Sequence, residues 1–378
     1  GPVDGHNIQE LISTIDRVKK IEGPVLVHVK TVKGKGYKYA ENNPAEYHGV
    51  SPFDLKTGKP LKKSDIPSYS SVFAILRESY YICDRKILAV SAAMCSSTGL
   101  AGFARKYPDR FFDVGIAEQH AVSFSAALAK GGFKPVFAVY STFLQRGYDE
   151  IMQDVCLQGL HVVFGVDRAG IVGSDGETHQ GIYDISYFRH MPNMTVMMPK
   201  NGVELEKMLD FALNKMDSPV AIRYPRGEVS LRYSDNCNDI EYGKGEILKD
   251  GEKIAVLSAG SMLDEADDVC TLLEKDGYRP VLVNLRFAKP VDKELIKNVC
   301  EKCEYVFTIE DNVFEGGVGC AVLETINEEE NIKNVAFHAF AFPDKFIEHG
   351  TRKELYARYG LDGKTIYSEI KKRVENNG

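Results

Sequence analysis

The sequence predicts an α/β protein made of two open, mainly parallel sheets, preceded by the tail of a truncated first α/β unit. Three observations carry that expectation. From about residue 70 onward, short apolar runs alternate with stretches of helical spacing. The runs are apolar throughout rather than alternating, as strands covered by helices on both faces must be. The length of 378 residues leaves room for two to three domains of ordinary size.

The elements follow in chain order. Residues 8–21 have helical apolar spacing, and 25–32 form a β-rich run after the Gly23-Pro24 break. One helix and one strand cannot bury a sheet, so residues 1–39 read as the remnant of a domain. The chain opens on Gly1 rather than Met, and the expectation is a processed, cloned or proteolysed fragment of a longer polypeptide. Residues 40–69, polar and rich in Pro, Lys and Gly, read as a linker. Residues 70–235 supply helices at 71–82, 118–130, 148–158 and 203–213. Strands fall at 87–91, 136–140, 162–166, 195–198 and 220–224. Residues 240–378 repeat the pattern, with strands at 254–258, 281–285, 305–309 and 335–339. Helices are expected there at 263–275, 293–303, 319–328 and 366–376.

Composition excludes several classes. A net charge of -7 argues against a nucleic-acid surface, which needs a basic stripe. No apolar run reaches the roughly 18 residues of a membrane span, and no signal peptide is visible. The eight cysteines are scattered, which fits reduced thiols in the cytoplasm. Cys300 and Cys303 form a lone CxxC with no second pair to complete a zinc site.

Ligands of open α/β sheets sit in the loops after the strands, and four such loops here are heavily loaded. The first, Asp113-Val-Gly-Ile-Ala-Glu118-Gln-His120, places Glu118 at a helix start, where the helix dipole favours a carboxylate. Taken alone, Glu118 reads equally as an ordinary first-turn acid. The second, Tyr140-Ser-Thr-Phe143-Leu-Gln-Arg146, offers an aromatic wall or simple core packing. The third runs from Asp167-Arg168 to Asp175-Gly-Glu-Thr-His179-Gln-Gly181. Its glycines and histidine are hard to justify by packing, which argues for function. The fourth, Arg223-Tyr-Pro-Arg226-Gly227, suits bidentate phosphate recognition, or a surface ion pair. In the last domain, Glu315-Gly-Gly-Val-Gly319 precedes a helix. Close helix packing explains it better than an anion site.

Together these strings resemble the 1-deoxy-D-xylulose-5-phosphate synthase family in order, spacing and residue type. So do Gly1-Pro-Val-Asp-Gly-His6 and Lys33-Gly-Lys-Gly-Tyr37 upstream. The resemblance implies two transketolase-like domains, one pyrimidine-binding and one C-terminal. It implies thiamine diphosphate and Mg2+ as cofactors, with pyruvate and D-glyceraldehyde 3-phosphate as substrates. Glu118 matches the glutamate that bonds the aminopyrimidine ring, a charge-assisted bond contributing roughly 1.5–3 kcal/mol. Tyr140, Phe143 and Arg146 match the cofactor's surroundings. Arg168 and Arg226 would hold the acceptor's phosphate. Asp175 and His179 would contact substrate and relay protons. His6 and His48 match positions near the site mouth, although a structural histidine explains either as well. The resemblance also implies a homodimer supported by the C-terminal domain.

One departure stands out. The family's Gly-Asp-Gly magnesium segment occurs nowhere in the sequence. Magnesium needs oxygen ligands in near-octahedral array. The expectation is therefore that these 378 residues are inactive alone and need an N-terminal fragment or companion chain. A transketolase, a 2-oxoacid dehydrogenase β-subunit, or a non-catalytic structural or regulatory subunit are the competing readings. The loop 168–181 argues against the first two.

Overall fold

The computed structural model describes all residues except 45, 51, 62–63, 75–83, 236, 329–331, 333–334 and 377–378. Its contacts divide the chain into two units, residues 1–65 and 66–378.

In the first unit, β1 (Val3–Asp4) pairs in parallel with β2 (Val29–Lys30). The run expected at 25–32 forms a ladder only over those two residues. The helix Ile8–Val18 starts where the Asn7 side chain accepts from Glu10 N at 3.1 Å, and none of its residues is buried. Residues 40–65 fold with the first 39. Tyr37, Tyr39, Tyr47 and Phe53 cluster with ring centroids 5.2 to 5.7 Å apart.

The second unit holds two sheets. Its strands are β3 (Ile87–Ser91), β4 (Phe111–Asp113), β5 (Lys134–Tyr140), β6 (Val163–Asp167), β7 (Thr195–Met197) and β8 (Val220–Arg223). They continue with β9 (Glu246–Lys249), β10 (Lys253–Ser258), β11 (Val281–Asn284), β12 (Phe287–Lys289), β13 (Cys303–Val313) and β14 (Ala336–Phe342). The first sheet runs β12-β7-β8-β6-β5-β3-β4, with every pair parallel except β12 on β7. The second runs β14-β13-β10-β11-β9, antiparallel only at β9. All residues of β3 and β6 are buried, which is why these strands read as unbroken apolar runs.

Some elements differ from expectation. Strands β4, β9 and β12 are three or four residues long and of mixed polarity, so they give no apolar run to read. The helix expected at 148–158 is helical at Tyr148–Glu150 and then widens into a π-helix over Ile151–Cys156. Cys303 opens β13 instead of closing the preceding helix, which ends at Lys302. Short helices at Ala101–Lys106, Asp184–Arg189 and Arg352–Tyr359 were not expected, being too brief to show a period. Most of the helix expected at 71–82 lies outside the described residues.

The two domains of this unit share more than a boundary. Strand β12 comes from the C-terminal domain yet extends the first sheet. Behind it, buried charges interlock. Lys200 Nζ bonds Glu204 at 2.8 Å and Glu246 at 2.5 Å, and Arg286 bonds the same two carboxylates at 2.8 Å each. Two cations face two anions, so removing any one strands a buried charge.

Candidate active site

Strands β4, β5, β6 and β8 are parallel, so their carboxyl ends, and the four loaded loops that follow, lie on one edge of the sheet. After β4, Asp113 Oδ1 accepts from Ala93 N at 2.8 Å and Gly115 N at 3.0 Å, which shapes the turn into the next helix. Glu118 is the first residue of that helix, Glu118–Lys130, whose N-cap Ala117 supplies no side-chain cap. The helix's positive end faces the Glu118 carboxylate. The residue is only 3% exposed. Arg146 Nε stands 3.0 Å from Glu118 Oε2, within ion-pair range. That contact is not aligned as a hydrogen bond, and Oε2 is buried without one. A directed donor is what this oxygen lacks.

After β5, the turn Ser141–Leu144 and the following Gln145–Gly147 carry the aromatic and basic side chains. Tyr140 and Phe143 stack with centroids 5.6 Å apart and planes at 20°. His179 meets Phe143 edge-on at 5.4 Å. The Arg168 guanidinium lies over the Tyr140 ring at 4.0 Å. Burial pushes the Tyr140 hydroxyl's pKa up, so it stays a neutral phenol. Thr142 Oγ1 donates to Thr178 O at 2.9 Å, tying this turn to the histidine loop.

After β6, the loop 168–181 folds back on itself, closed by Gly170 N to Gly181 O at 2.7 Å and the reverse bond at 2.8 Å. Arg168 takes a left-handed φ of 57°, an uncommon conformation for a non-glycine residue. Asp175 joins two cations, pairing with Arg168 through Oδ2 and with Arg226 through Oδ1 at 2.8 Å. Arg226 Nη1 also donates to Ser174 Oγ at 2.8 Å. Both arginines expected to hold phosphate therefore converge, and a carboxylate already bridges them. Each guanidinium has five N–H donors, so capacity for a second anion remains. The His179 Nδ1 lies 2.9 Å from Thr178 Oγ1.

Two sequence-based expectations need correction. Packing accounts for two of the loop's glycines, Gly170 and Gly173, while Gly176 at φ +83° has nothing within 4 Å of a Cβ. Gly170, at φ +74°, would bring a Cβ within 2.0 Å of Asp311 Oδ2, and a Cβ on Gly173 would meet Gly350 O at 2.6 Å. The other concerns Arg223, which is no phosphate ligand. It is buried and bonds Asp184 at 2.9 Å and Asp311 at 2.7 Å. Arg146 faces Glu118 and not the Arg168–Arg226 pair.

His6 and His48 belong to the other unit. There, His6 Nε2 accepts from Val32 N at 2.7 Å, and His48 Nδ1 lies 3.0 Å from Lys33 Nζ. In the C-terminal domain the turn before helix Val318–Glu328 does hold an acidic group, but an internal one. Glu310 accepts from Val318 N at 2.7 Å and Gly319 N at 2.8 Å. Among the described residues, no group of three His, Cys, Asp or Glu side chains could hold a metal ion. No helix among them is long and apolar enough to cross a membrane. Sequence reasoning passed over Gln180 and Arg352, which contact this loop system from within and from the C-terminal domain. An amide residue between His179 and Gly181 was the available signal for the first; the second had none.

Comparison with known proteins follows this layout. Models of the transketolase pyrimidine-binding domain and the transketolase C-terminal domain match residues 67–231 and 243–366. A model of 1-deoxy-D-xylulose-5-phosphate synthase matches residues 1–31. The 1-deoxy-D-xylulose-5-phosphate synthase of Caldanaerobacter subterraneus subsp. tengcongensis is 51% identical over 99% of this chain and 60% of its own length. That of Natranaerobius thermophilus is 46% identical over 99% of this chain and 59% of its own length. The chain thus spans about 60% of the length of these relatives. Among solved structures, a split-gene transketolase described as an inactive β4 tetramer superposes with a TM-score of 0.74. It is 27% identical, over 81% of this chain and 97% of that one. Transketolase from Campylobacter jejuni shares the fold at 22% identity and a TM-score of 0.68, over 82% of this chain and 47% of its own.

Proposed function

The chain is homologous along 99% of its length to 1-deoxy-D-xylulose-5-phosphate synthases, and from that premise we propose that it carries the pyrimidine side of such an enzyme's active site. The reaction is decarboxylation of pyruvate and carboligation to D-glyceraldehyde 3-phosphate. It is the first step of non-mevalonate isoprenoid synthesis and also feeds thiamine synthesis.

The observation that carries this reading is the buried Glu118 Oε2, which has no directed hydrogen bond and sits at a helix start, facing Arg146 of the same strand-end loop that holds the stacked pair Tyr140 and Phe143. An aminopyrimidine ring fits that vacancy in bonding. Its ring nitrogen would face Glu118, with Tyr140 and Phe143 beside it and Arg146 at the rim. Thiamine diphosphate, when bound, supplies the acidic carbon and the electron sink for cleaving a 2-oxo acid. Glu118 holds a proton at the ring nitrogen, in a site dry enough to strengthen the bond. Arg168 and Arg226 orient the acceptor through its phosphate, sharing it with or releasing it from Asp175. His179, with Nδ1 held by Thr178, moves protons at the substrate oxygens, and Asp175 assists.

The residues present do not fit the magnesium–diphosphate half, because the described residues lack a metal cluster and the sequence lacks Gly-Asp-Gly. We place those ligands on polypeptide outside these 378 residues, an N-terminal segment or companion chain. The likeness to an inactive β4 form of a split transketolase supports that division. A homodimer in the cytoplasm completes the proposal. The seven described cysteines, all free thiols, accord with a reducing compartment.

The test is reconstitution. Alone, the chain should bind thiamine diphosphate poorly and make no product from pyruvate and D-glyceraldehyde 3-phosphate. Addition of a polypeptide bearing the Gly-Asp-Gly segment should restore turnover. Unaided turnover would refute the division of the site. Turnover only with a ketose donor, or only with a lipoyl acceptor, would reassign the chain to a transketolase or a 2-oxoacid dehydrogenase.

A further inference from the structure

We propose that residues 347–352 of the C-terminal domain are the positioning element for the acceptor-phosphate site, acting through Gln180 and Arg352. This rests on the assignment of Arg168 and Arg226 to phosphate made above.

Three independent contacts carry the inference. The first is the Gln180 amide, which is 3% exposed and fully engaged. Its Oε1 accepts from Val172 N at 2.9 Å and Gly173 N at 3.2 Å, which closes the two arms of the loop. Its Nε2 donates to Ile347 O at 3.4 Å and Glu348 O at 3.2 Å, which ties the loop to the other domain. A buried amide with every bond used specifies one geometry, since any shift leaves a polar atom unpaired.

Arg352 supplies the second contact. Its Nη1 donates to the carbonyl of Arg226 at 3.0 Å and its Nη2 to Tyr356 Oη at 3.3 Å. Arg352 opens a helix held by a capping box between Thr351 and Glu354, so it projects from a fixed start. Arg226, which bears on Asp175, is thereby held by its backbone from behind.

Apolar packing gives the third. Ile171 and Ile182, one on each arm of the loop, are buried in the core of the C-terminal domain with Ile347 and Leu355. Val313 N adds a bond to Ile182 O at 2.9 Å. The loop that presents Arg168, Asp175 and His179 is therefore rooted in a domain that contributes none of those side chains. That domain's role goes beyond subunit contacts: it fixes the spacing of the two phosphate arginines.

Two measurements on the 378-residue chain test this: hydrogen exchange of backbone amides, and affinity for glycerol 3-phosphate. That probe carries the acceptor's phosphate without its reactive carbonyl. Gln180→Ala and Arg352→Met should each speed exchange in residues 168–181 by roughly fivefold or more, with a lowered thermal midpoint from the buried hydrogen bonds lost. Each should weaken glycerol 3-phosphate roughly tenfold. Arg352→Lys keeps a donor for the Arg226 carbonyl and should recover most of the loss, which a bulk packing defect would not. The two variants enter from opposite sides, so one that fails to fold leaves the other decisive. Unchanged exchange overturns the inference, as does raised exchange with unchanged affinity. Arg226→Ala separates the layers. If it leaves affinity intact, or the wild type does not bind, the phosphate assignment fails, and the inference with it. If it weakens binding while Arg352→Met does not, the positioning element alone is wrong.

Discussion

Two buried glutamates, one in each domain of the larger unit and each 3% exposed, carry their carboxyl groups to helix N-termini, Glu118 as the first residue of its helix and Glu310 from strand β13. Glu310, in the C-terminal domain, spends both oxygens on its own fold. They accept from Val318 N and Gly319 N, and the approach is so close that a Cβ at Gly317 would sit 2.3 Å from Oε2. Glu118, in the pyrimidine domain, has a buried oxygen with only a misaligned arginine beside it. Burial and helix position are shared, so neither distinguishes structure from function. Satisfaction does. A carboxyl group whose bonds are complete is a cap, and one left short of a donor inside a loaded edge is where we propose that a ligand binds.

The largest effect that would sharpen this contrast lies in turnover. In the reconstituted enzyme, Glu118→Ala should lower the rate of product formation by about 10³-fold or more, measured as pyruvate consumed under saturating cofactor. Glu310→Gln, by contrast, should keep turnover within a few-fold at neutral pH. Comparable losses in both variants would erase the distinction.

Stability should move the other way. Glu310→Ala leaves two buried N–H groups unpaired and should cost about 3 kcal/mol in urea unfolding. Its pH dependence is specific. Burial outweighs the two backbone bonds and pushes the Glu310 carboxyl up to about 8. The folded state thus holds this proton more tightly than the unfolded chain. The associated stability is complete below about pH 4.5 and is lost as pH rises through about 8. Glu310→Gln should flatten that part of the unfolding profile, and a profile identical to wild type would contradict the assignment. The smallest effect is expected for Glu118→Leu. It removes a buried carboxylate lacking a directed bond and leaves Arg146, 57% exposed, in water. The chain should be unchanged or more stable by about 1 kcal/mol. A clear loss of stability would mean that Glu118 is a structural residue.

Much of the site could be read from residue order. Glu118 is announced by a helix start directly after the short loop that follows Asp113. Tyr140, Arg168 and Arg226 follow apolar runs that had to be parallel strands, so their convergence on one edge was expected. Other features depend on contacts that no local pattern reports. Gly170 and Gly173 looked like ligand-loop glycines, because nothing in their neighbourhood in sequence reveals Asp311 or Gly350 packed against them. Arg223 resembled Arg226 in the string, yet two aspartates far along the chain bury it. Arg352 reaches Arg226 across 126 positions, a separation at which only the folded chain is informative. Strand β12 escaped notice because three residues carry too little hydrophobic signal, although a neighbouring domain's edge makes them a strand.

The most direct test of Glu118 is the rate at which deuterium replaces the C2 proton of bound thiamine diphosphate in the reconstituted enzyme, followed by quenched proton NMR. The account predicts fast exchange in the wild type and a rate close to that of free cofactor in Glu118→Gln, with cofactor still bound. Equal exchange in the two proteins would contradict it.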